Sequence, residues 1–277
     1  MEPFTLASDG AAPVAVLVTP AGDCDPQLAM IDAWARDHGL DVVDLGTSAE
    51  PSGRATGCGL VIALGGDGTI LRALQLAMAE HAAVLGVNFG HVGFLADIHG
   101  DELGGALERI SRDEARIEER TALVATLGGD PPHRTVAFND VVIARRPGFG
   151  TARLQVEVGG EPILALTGDG VVIASPMGST AYTVGAGGPA VAPSLDAIVI
   201  TPLATQGSPL RSLVVDGGDT VRVEVAPASA PLRVEFDGRM VEEVPASGAL
   251  DVCTAPRKAR LVRTRPRSFY RDLAHRL

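Results

Sequence analysis

The sequence predicts an α/β N-terminal domain on a doubly wound, mostly parallel sheet, followed by an all-β, sandwich-like C-terminal domain. Two observations carry this. From residue 13 to about residue 115, β-branched apolar runs alternate with segments of helical period, the pattern of strand–helix–strand repetition. Beyond it come short strands of strict apolar–polar alternation, separated by glycine turns, which read as an antiparallel sheet or sandwich.

The elements follow in order. "PVAVLVT" (13–19) is a first strand. "DPQLAMIDAWARDHG" is a helix with Leu28, Ile31 and Ala35 on one face and Gly39 at its stop. "LDVVDL" is a short strand, and "GLVIAL" (59–64) another. The latter holds no polar residue, as expected of a strand covered on both faces. A helix over 69–79 turns Leu71, Leu74 and Met78 inward, and "AAVLGV" (82–87) is the next strand. In the C-terminal part, "LQVEV" (154–158) and "LRVEF" (232–236) place leucine, valine and phenylalanine on one side. Between them lie "VVIA", "AIVI" and "VRVEV", with turns at Gly159-Gly160, Gly217-Gly218 and Asp237-Gly238. The expected domains are 1–115 and 116–255.

Bulk properties narrow the function. A 277-residue chain with 46% hydrophobic and 21% charged residues is globular, not disordered. A net charge of -11 argues against a nucleic-acid partner, which needs a clustered basic surface. The basic C-terminal stretch "RKARLVRTRPRSFYRDLAHRL" reads as a solvated face or a subunit contact. Cys24, Cys58 and Cys253 fit neither a disulfide framework nor a zinc knuckle, and the six histidines have no metal spacing, so no residue is assigned as a metal ligand. No apolar run approaches the ~20 residues of a membrane span. A soluble, cytoplasmic protein with no membrane partner is expected.

The most specific stretch is "ALGGDGTILRAL" (63–74). Gly65 and Gly66 allow a sharp turn and close approach of backbone N–H groups to a ligand, and the helix that follows adds its unpaired amides, which favour phosphate. The lysine of a P-loop is missing. Asp67 repels an anion, so beside phosphate it has two useful roles: holding a divalent metal, or accepting a proton from an attacking hydroxyl. Its bland role is to cap the helix. A second constellation, "TGDGVVIASPMGSTAYTVGAGGP" (167–189), is a strand between polar, glycine-rich turns. There Tyr182 offers a flat face and a hydroxyl to a nucleotide, or is simply a core aromatic. In "FNDVVIA" (138–144), Asn139-Asp140 opens an apolar strand, a pair that by itself commonly marks a turn.

Taken in order, "GGDGT" (65–69), "GVNFGHVGFLAD" (86–97), "ND" (139–140) and "DGVVIASPMGSTAY" (169–182) resemble the NAD kinase family, up to a closing "FYRDL" (269–273). "GGDGT" alone is shared with diacylglycerol, sphingosine and 6-phosphofructokinases; the four motifs together are far more specific. The resemblance implies an α/β domain and a β-sandwich, with 256–277 returning to the N-terminal domain, in a homo-oligomer (dimer or tetramer). It implies phosphoryl transfer from ATP, or polyphosphate, to the 2′-hydroxyl of the adenosine ribose of NAD, with Mg²⁺ or another divalent cation. By motif, Asp67 would be the base and Gly68 would lie against the ribose, with Gly65, Gly66, Thr69 and Asn88 in the same nucleotide-binding loops. Arg72 resembles a nucleotide-contacting arginine, and Phe94 would pack on adenine. Asn139 and Asp140 would hold the adenine side, Asp169 the nicotinamide side, often from a neighbouring subunit. Thr180, Ala181, Tyr182 and Gly185 would line the dinucleotide.

Departures from the family pattern bear on the acceptor. "SPMGST" stands for the usual Thr-Pro-Thr-Gly-Ser-Thr, so Met177 replaces a hydroxyl. After the tyrosine, "TVG" replaces Ser-Leu-Ser, and Gly185 lacks the last hydroxyl. Asn-Asp replaces Asn-Glu, and no basic residue precedes Asp169. A relative retuned to NADH or another nucleoside-type acceptor, or a non-catalytic NAD-binding paralogue, stays open. A lipid kinase would expose an apolar mouth for acyl chains, and a dehydrogenase would carry G-x-G-x-x-G after its first strand.

Overall fold

The structure, a computed structural model, describes all residues except 7–11, 21–23, 50–53, 91–92, 129–131, 207–209, 245–246 and 275–277, and the side chains of 240–242. His91 and His275 therefore lie outside the described residues. The chain forms two compact units, one of residues 1–119 with 259–277, the other of 120–258.

The first unit contains β1 (Glu2–Pro3), β2 (Val14–Val18), α1 (Asp25–Asp37), β3 (Val42–Thr47), β4 (Leu60–Leu64), α2 (Asp67–Met78), β5 (Ala83–Asn88), β6 (Ile98–His99), α3 (Leu103–Ser111) and β7 (Arg116–Arg120). With the C-terminal strand Ala259–Arg263 they build an eight-stranded sheet ordered β1, β7, Ala259–Arg263, β5, β4, β2, β3, with β6 paired to β5. The pairs β2/β3, β2/β4 and β4/β5 are parallel. From β2 the chain moves outward to β3, then returns past β2 to β4, so the winding reverses between β2 and β4. That is where a doubly wound sheet opens a crevice beyond its strand ends.

All five residues of β4 are buried because both faces are covered. On one face, Leu60, Ile62, Leu85 and Val87 join Ile31 and Trp34 of α1 and Leu103 and Leu107 of α3. Gly86 lies between Leu85 and Val87 and so points to the other face. A Cβ there would fall 2.6 Å from Ile70 Cδ1, so α2 sits tightly on the glycine. α2 differs from the expected helix 69–79. It starts at Asp67, and its inner face is Ile70, Leu71, Ala73, Leu74 and Ala77, while Met78 is only half-buried. Small alanines suit so close an approach to the sheet; a methionine at 77 would hold the helix off.

The second unit is a sandwich of two six-stranded antiparallel sheets. Its strands are β8 (Leu123–Leu127), β9 (His133–Ala137), β10 (Asp140–Arg145), β11 (Ala152–Val158), β12 (Glu161–Gly168), β13 (Gly170–Ala174), β14 (Ala197–Leu203), β15 (Leu213–Asp216), β16 (Val221–Val225), β17 (Leu232–Phe236), β18 (Arg239–Val244) and β19 (Ala249–Thr254). One sheet runs β15-β14-β13-β10-β17-β18, the other β12-β11-β16-β19-β8-β9. Their inner faces share a core that includes Val141, Ile173 and Val234 from one, and Leu154, Val223 and Val252 from the other. β10, β13 and β14 do not alternate in burial, because Val142, Val172 and Val199 on the outer face pack beneath Val191 and Ala186. The segment 175–191, carrying the short helix α4 (Tyr182–Gly185), thus lies over that sheet. Last come β20 (Ala259–Arg263), named above as the C-terminal strand, and α5 (Phe269–Ala274).

Candidate active site

In the first unit, the "GGDG" loop leaves β4 at the winding reversal. Thr19 N–H donates to the Leu64 carbonyl (2.8 Å) and Gly65 N–H to the Val87 carbonyl (2.8 Å), so the loop is seated across β2, β4 and β5. Gly65 is required by space: a Cβ there would lie 2.5 Å from Thr69 Oγ1. Gly66 and Gly68 are exposed, and a Cβ on either would meet nothing within 4 Å.

Asp67 is not the helix cap. The capping position belongs to Gly66, and no side chain bonds the first turn. The carboxylate instead reaches across to the "GFL" segment, where Oδ2 accepts Phe94 N–H (3.0 Å) and Oδ1 accepts Leu95 N–H (3.2 Å). A side chain on Gly93 would overlap that carboxylate. Two amides and one glycine therefore set the position of a half-exposed carboxylate beside a helix N-terminus. Each oxygen keeps a further lone pair for another donor.

The other first-unit candidates serve this loop from below or alongside. Thr69 is buried, its hydroxyl 3.4 Å from Ser48 Oγ. Asn88, at the end of β5, is buried, and its Oδ1 accepts Phe89 N–H (2.8 Å) and Gly90 N–H (3.3 Å), an Asx turn. Arg72 is half-buried with Nη1 on Gln75 Oε1 (2.8 Å). Phe94 faces Phe269, ring centroids 6.4 Å apart.

In the second unit, Asn139-Asp140 and the "SPMGSTAY" segment meet. Ser175 N–H donates to the Asn139 carbonyl (2.9 Å), Ser175 Oγ donates to the Phe138 carbonyl (2.5 Å), and a Cβ on Gly178 would overlap the Asn139 backbone. Ser179 is wholly buried and fastens the loop, bonding Val191 N–H (2.8 Å) and the Pro176 carbonyl (2.7 Å). Met177 is buried too, at 6% exposure. Thr180 donates to the Met177 carbonyl (3.3 Å). Ala181, Tyr182 and Gly185 are exposed.

Asp140 is 4% exposed, and its carboxyl accepts the Tyr182 N–H. Burial first, then the neighbouring charges of Asp237 and Glu235, push its pKa up to about 7. Asp237 was legible only as half of a turn. Its carboxylate accepts three successive backbone N–H groups, those of Phe138 (3.0 Å), Asn139 (2.7 Å) and Asp140 (3.3 Å). It is the brace that fixes the "ND" corner. Asp169 is elsewhere. It precedes β13 while Ser175 follows it, so six residue steps separate them, roughly 20 Å at ~3.3 Å each. There it pairs with Arg145 Nε (2.6 Å), and Gly170 beside it packs where a Cβ would overlap the Ile143 carbonyl.

One expectation is corrected. The C-terminal arginines are not simply a solvated face: Arg263 and Arg267 have side chains only 3% and 15% exposed, and both bond backbone carbonyls of the 93–97 segment. Acceptors of that kind leave no mark in sequence. Among the described residues, no three His, Cys, Asp or Glu side chains converge as a metal site.

Comparison with known proteins matches both units. Residues 47–115 fit the model of the ATP-NAD kinase N-terminal domain, and 138–264 that of the ATP-NAD kinase C-terminal domain. The NAD kinase of Rhodococcus jostii (strain RHA1) is 39% identical over 211 residues, spanning 76% of this chain and 66% of that one. The NAD kinase of Rhodococcus erythropolis (strain PR4) is 35% identical over 237 residues, 84% of this chain and 75% of that one. In fold, the chain is similar to yeast NADH kinase complexed with NADH, with a TM-score of 0.81, 20% identity, and 96% of this chain and 87% of that chain covered. It is also similar to an NAD kinase from Archaeoglobus fulgidus in complex with ATP, at a TM-score of 0.76, 21% identity, and 95% and 97% coverage. With both domain models matched and relatives of this identity aligned over most of its length, the chain belongs to the NAD kinase family.

Proposed function

We propose that the chain transfers the terminal phosphoryl group of ATP to the 2′-hydroxyl of the adenosine ribose of NAD, with Asp67 as the base. The observation that carries this is the Asp67 carboxylate, held by the Phe94 and Leu95 amides beside the N-terminus of α2. A secondary alcohol is a poor nucleophile, so its attack on phosphorus needs a positioned acceptor for its proton. The ribose oxygen forms the new O–P bond, the bond from phosphorus to ADP breaks, and the hydroxyl proton passes to Asp67. The α2 amides favour the donor's phosphate oxygens. Exposed Gly66 and Gly68 leave the backbone open to close approach.

Mg²⁺ enters as Mg-ATP. Such an ion commonly takes one or two carboxylates plus phosphate oxygens and water, so a loop with a single aspartate, and no cluster of three ligating side chains among the described residues, fits it. When bound it neutralises charge developing on the phosphates. Asn139 and buried Asp140 are assigned to the adenine side, with Thr180, Ala181, exposed Tyr182 and Gly185 lining the dinucleotide. Asp169, a strand's length from that group, is assigned to the nicotinamide side of another subunit's ligand, which supports a dimer or tetramer; solution mass would test it. A cytoplasmic location belongs to the same proposal. Cys24, Cys58 and Cys253 form no disulfide, as suits a reducing compartment, and among the described residues no helix is long and apolar enough to cross a membrane.

The test is a product assay with Mg-ATP, and separately polyphosphate, against NAD and NADH, run on the native protein and on Asp67→Asn. NADP formation that falls by orders of magnitude in the variant, with NAD affinity retained, is expected. The NADH arm matters because Met177 and Gly185 depart from the family pattern. Near-native turnover in Asp67→Asn would remove Asp67 from the base role.

A further inference from the structure

The segment that holds Asp67 is itself held by the C-terminal arginines. Arg263 Nη1 donates to the Leu95 carbonyl (2.9 Å) and Arg265 Nε to the Asp97 carbonyl (3.0 Å). Thr264 bonds Asp97 Oδ2 through both N–H (2.9 Å) and Oγ1 (2.7 Å). Arg267 reaches furthest along the segment: its Nη atoms donate to the carbonyls of Gly93 (3.3 Å), Phe94 (3.4 Å) and Ala96. Asp272 locks the guanidinium, accepting from Nη2 (2.6 Å) and Nε (3.1 Å) at one oxygen.

The carbonyl of Gly93 and the N–H of Phe94 belong to one peptide unit, and the carbonyl of Phe94 and the N–H of Leu95 to the next. Within a planar trans peptide these groups point opposite ways. The two peptide units that donate to Asp67 are therefore the two whose oxygens accept from Arg267. Arg267 fixes their planes and, as a cation on the oxygens, strengthens the amide dipoles aimed at Asp67.

We propose that Arg267, locked by Asp272, is a positioning residue that orients the Asp67 carboxylate through these two peptide units. The proposal rests on the reading of Asp67 as the base. A lysine could not replace the arginine, because one ammonium cannot span three carbonyls and a carboxylate.

Steady-state kinetics on the full-length protein test it. Arg267→Ala should lower kcat about tenfold to a hundredfold, the scale of a small misplacement of a reacting group, with KM for NAD and ATP little changed. Arg267→Lys should recover only part of the loss. In the Asp67→Asn background, Arg267→Ala should cost nothing more, since the group it positions is gone. If Arg267→Ala does not fold, Asp272→Asn carries the test, with a smaller fall in kcat, unchanged KM and the same silence beside Asp67→Asn. Losses that multiply in the double variant, or a rise in KM at constant kcat, would overturn the proposal while leaving the base intact. Near-native turnover of Asp67→Asn alone would sink the base and this proposal together.

Discussion

The carboxylate of Asp67 occupies the space that a side chain on Gly93 would need. The clash is with the carboxylate itself. In Gly93→Ala the carboxylate must rotate away or the segment must retreat, and either breaks the bonds to the Phe94 and Leu95 amides. Turnover should drop about a hundredfold, the usual scale for a misplaced reacting group. The second unit should melt as before. Single-turnover rates and thermal unfolding check this, and an unchanged rate would mean that Asp67 needs no such seat.

Asp140 makes stability depend on pH in a defined window. With its pKa raised from 3.8 to about 7, the folded protein holds a proton that the unfolded chain releases between those values. The contribution is fully present below the unfolded pKa and is lost as pH rises through about 7. The shift of about 3 units, 7 minus 3.8, corresponds at 1.36 kcal/mol per unit to at most about 4 kcal/mol. Asp140→Asn keeps an oxygen for the Tyr182 N–H and removes the buried charge. Its thermal midpoint should exceed the native one at pH 8 and converge with it near pH 4. Parallel curves across that range would show that Asp140 ionises normally.

Asp237→Asn probes the brace beneath the same corner. Asparagine tolerates the left-handed backbone at this position, where φ is +49, but it would set an NH2 group, a donor, against the Phe138 N–H that Oδ2 accepts at 3.0 Å. Losing the charge on Oδ1, which accepts all three amides, together with the Oδ2 bond should cost about 1–3 kcal/mol of stability. Removing the charge beside Asp140 should also lower the Asp140 pKa, making stability less sensitive to pH between 4 and 7. Calorimetric melts at several pH values measure both effects. A destabilised variant with an unaltered pH profile would refute the electrostatic part alone.

Individual residues show what could be read in the sequence. The unbroken "GLVIAL" gave a doubly covered parallel strand because burial on both faces removes alternation. "LRVEF" gave its own limits and inner face, Leu232, Val234 and Phe236, because one covered face enforces a period of two. Asp237-Gly238 was legible as a hairpin turn, with both residues at positive φ, but not as a brace. Turn chemistry is local, whereas the amides that its carboxylate holds lie 97 to 99 residues away in the chain. Arg267 is the same case: its charge is visible, its carbonyl partners are not. In α2, Met78 looked like an inner residue because large apolar side chains mark a face; the alanines that let the helix close on Gly86 carry a weaker signal.

Gly185 tests whether the altered loop touches the dinucleotide. It is exposed at the end of α4, its φ is ordinary, and an added Cβ would meet nothing within 4 Å. Serine therefore fits without strain, and exchanging a helical glycine for serine should leave stability within about 0.5 kcal/mol or raise it slightly. Any change in ligand affinity then reports a contact made by the new hydroxyl and not a rearranged loop. One net hydrogen bond of about 0.5–1.5 kcal/mol would lower the Kd for NAD roughly two- to tenfold. Titration calorimetry of Gly185→Ser with NAD and NADH reads this directly. A gain for one dinucleotide only would tie the glycine to acceptor choice, and equal Kd values in variant and native protein would put residue 185 out of reach of the ligand.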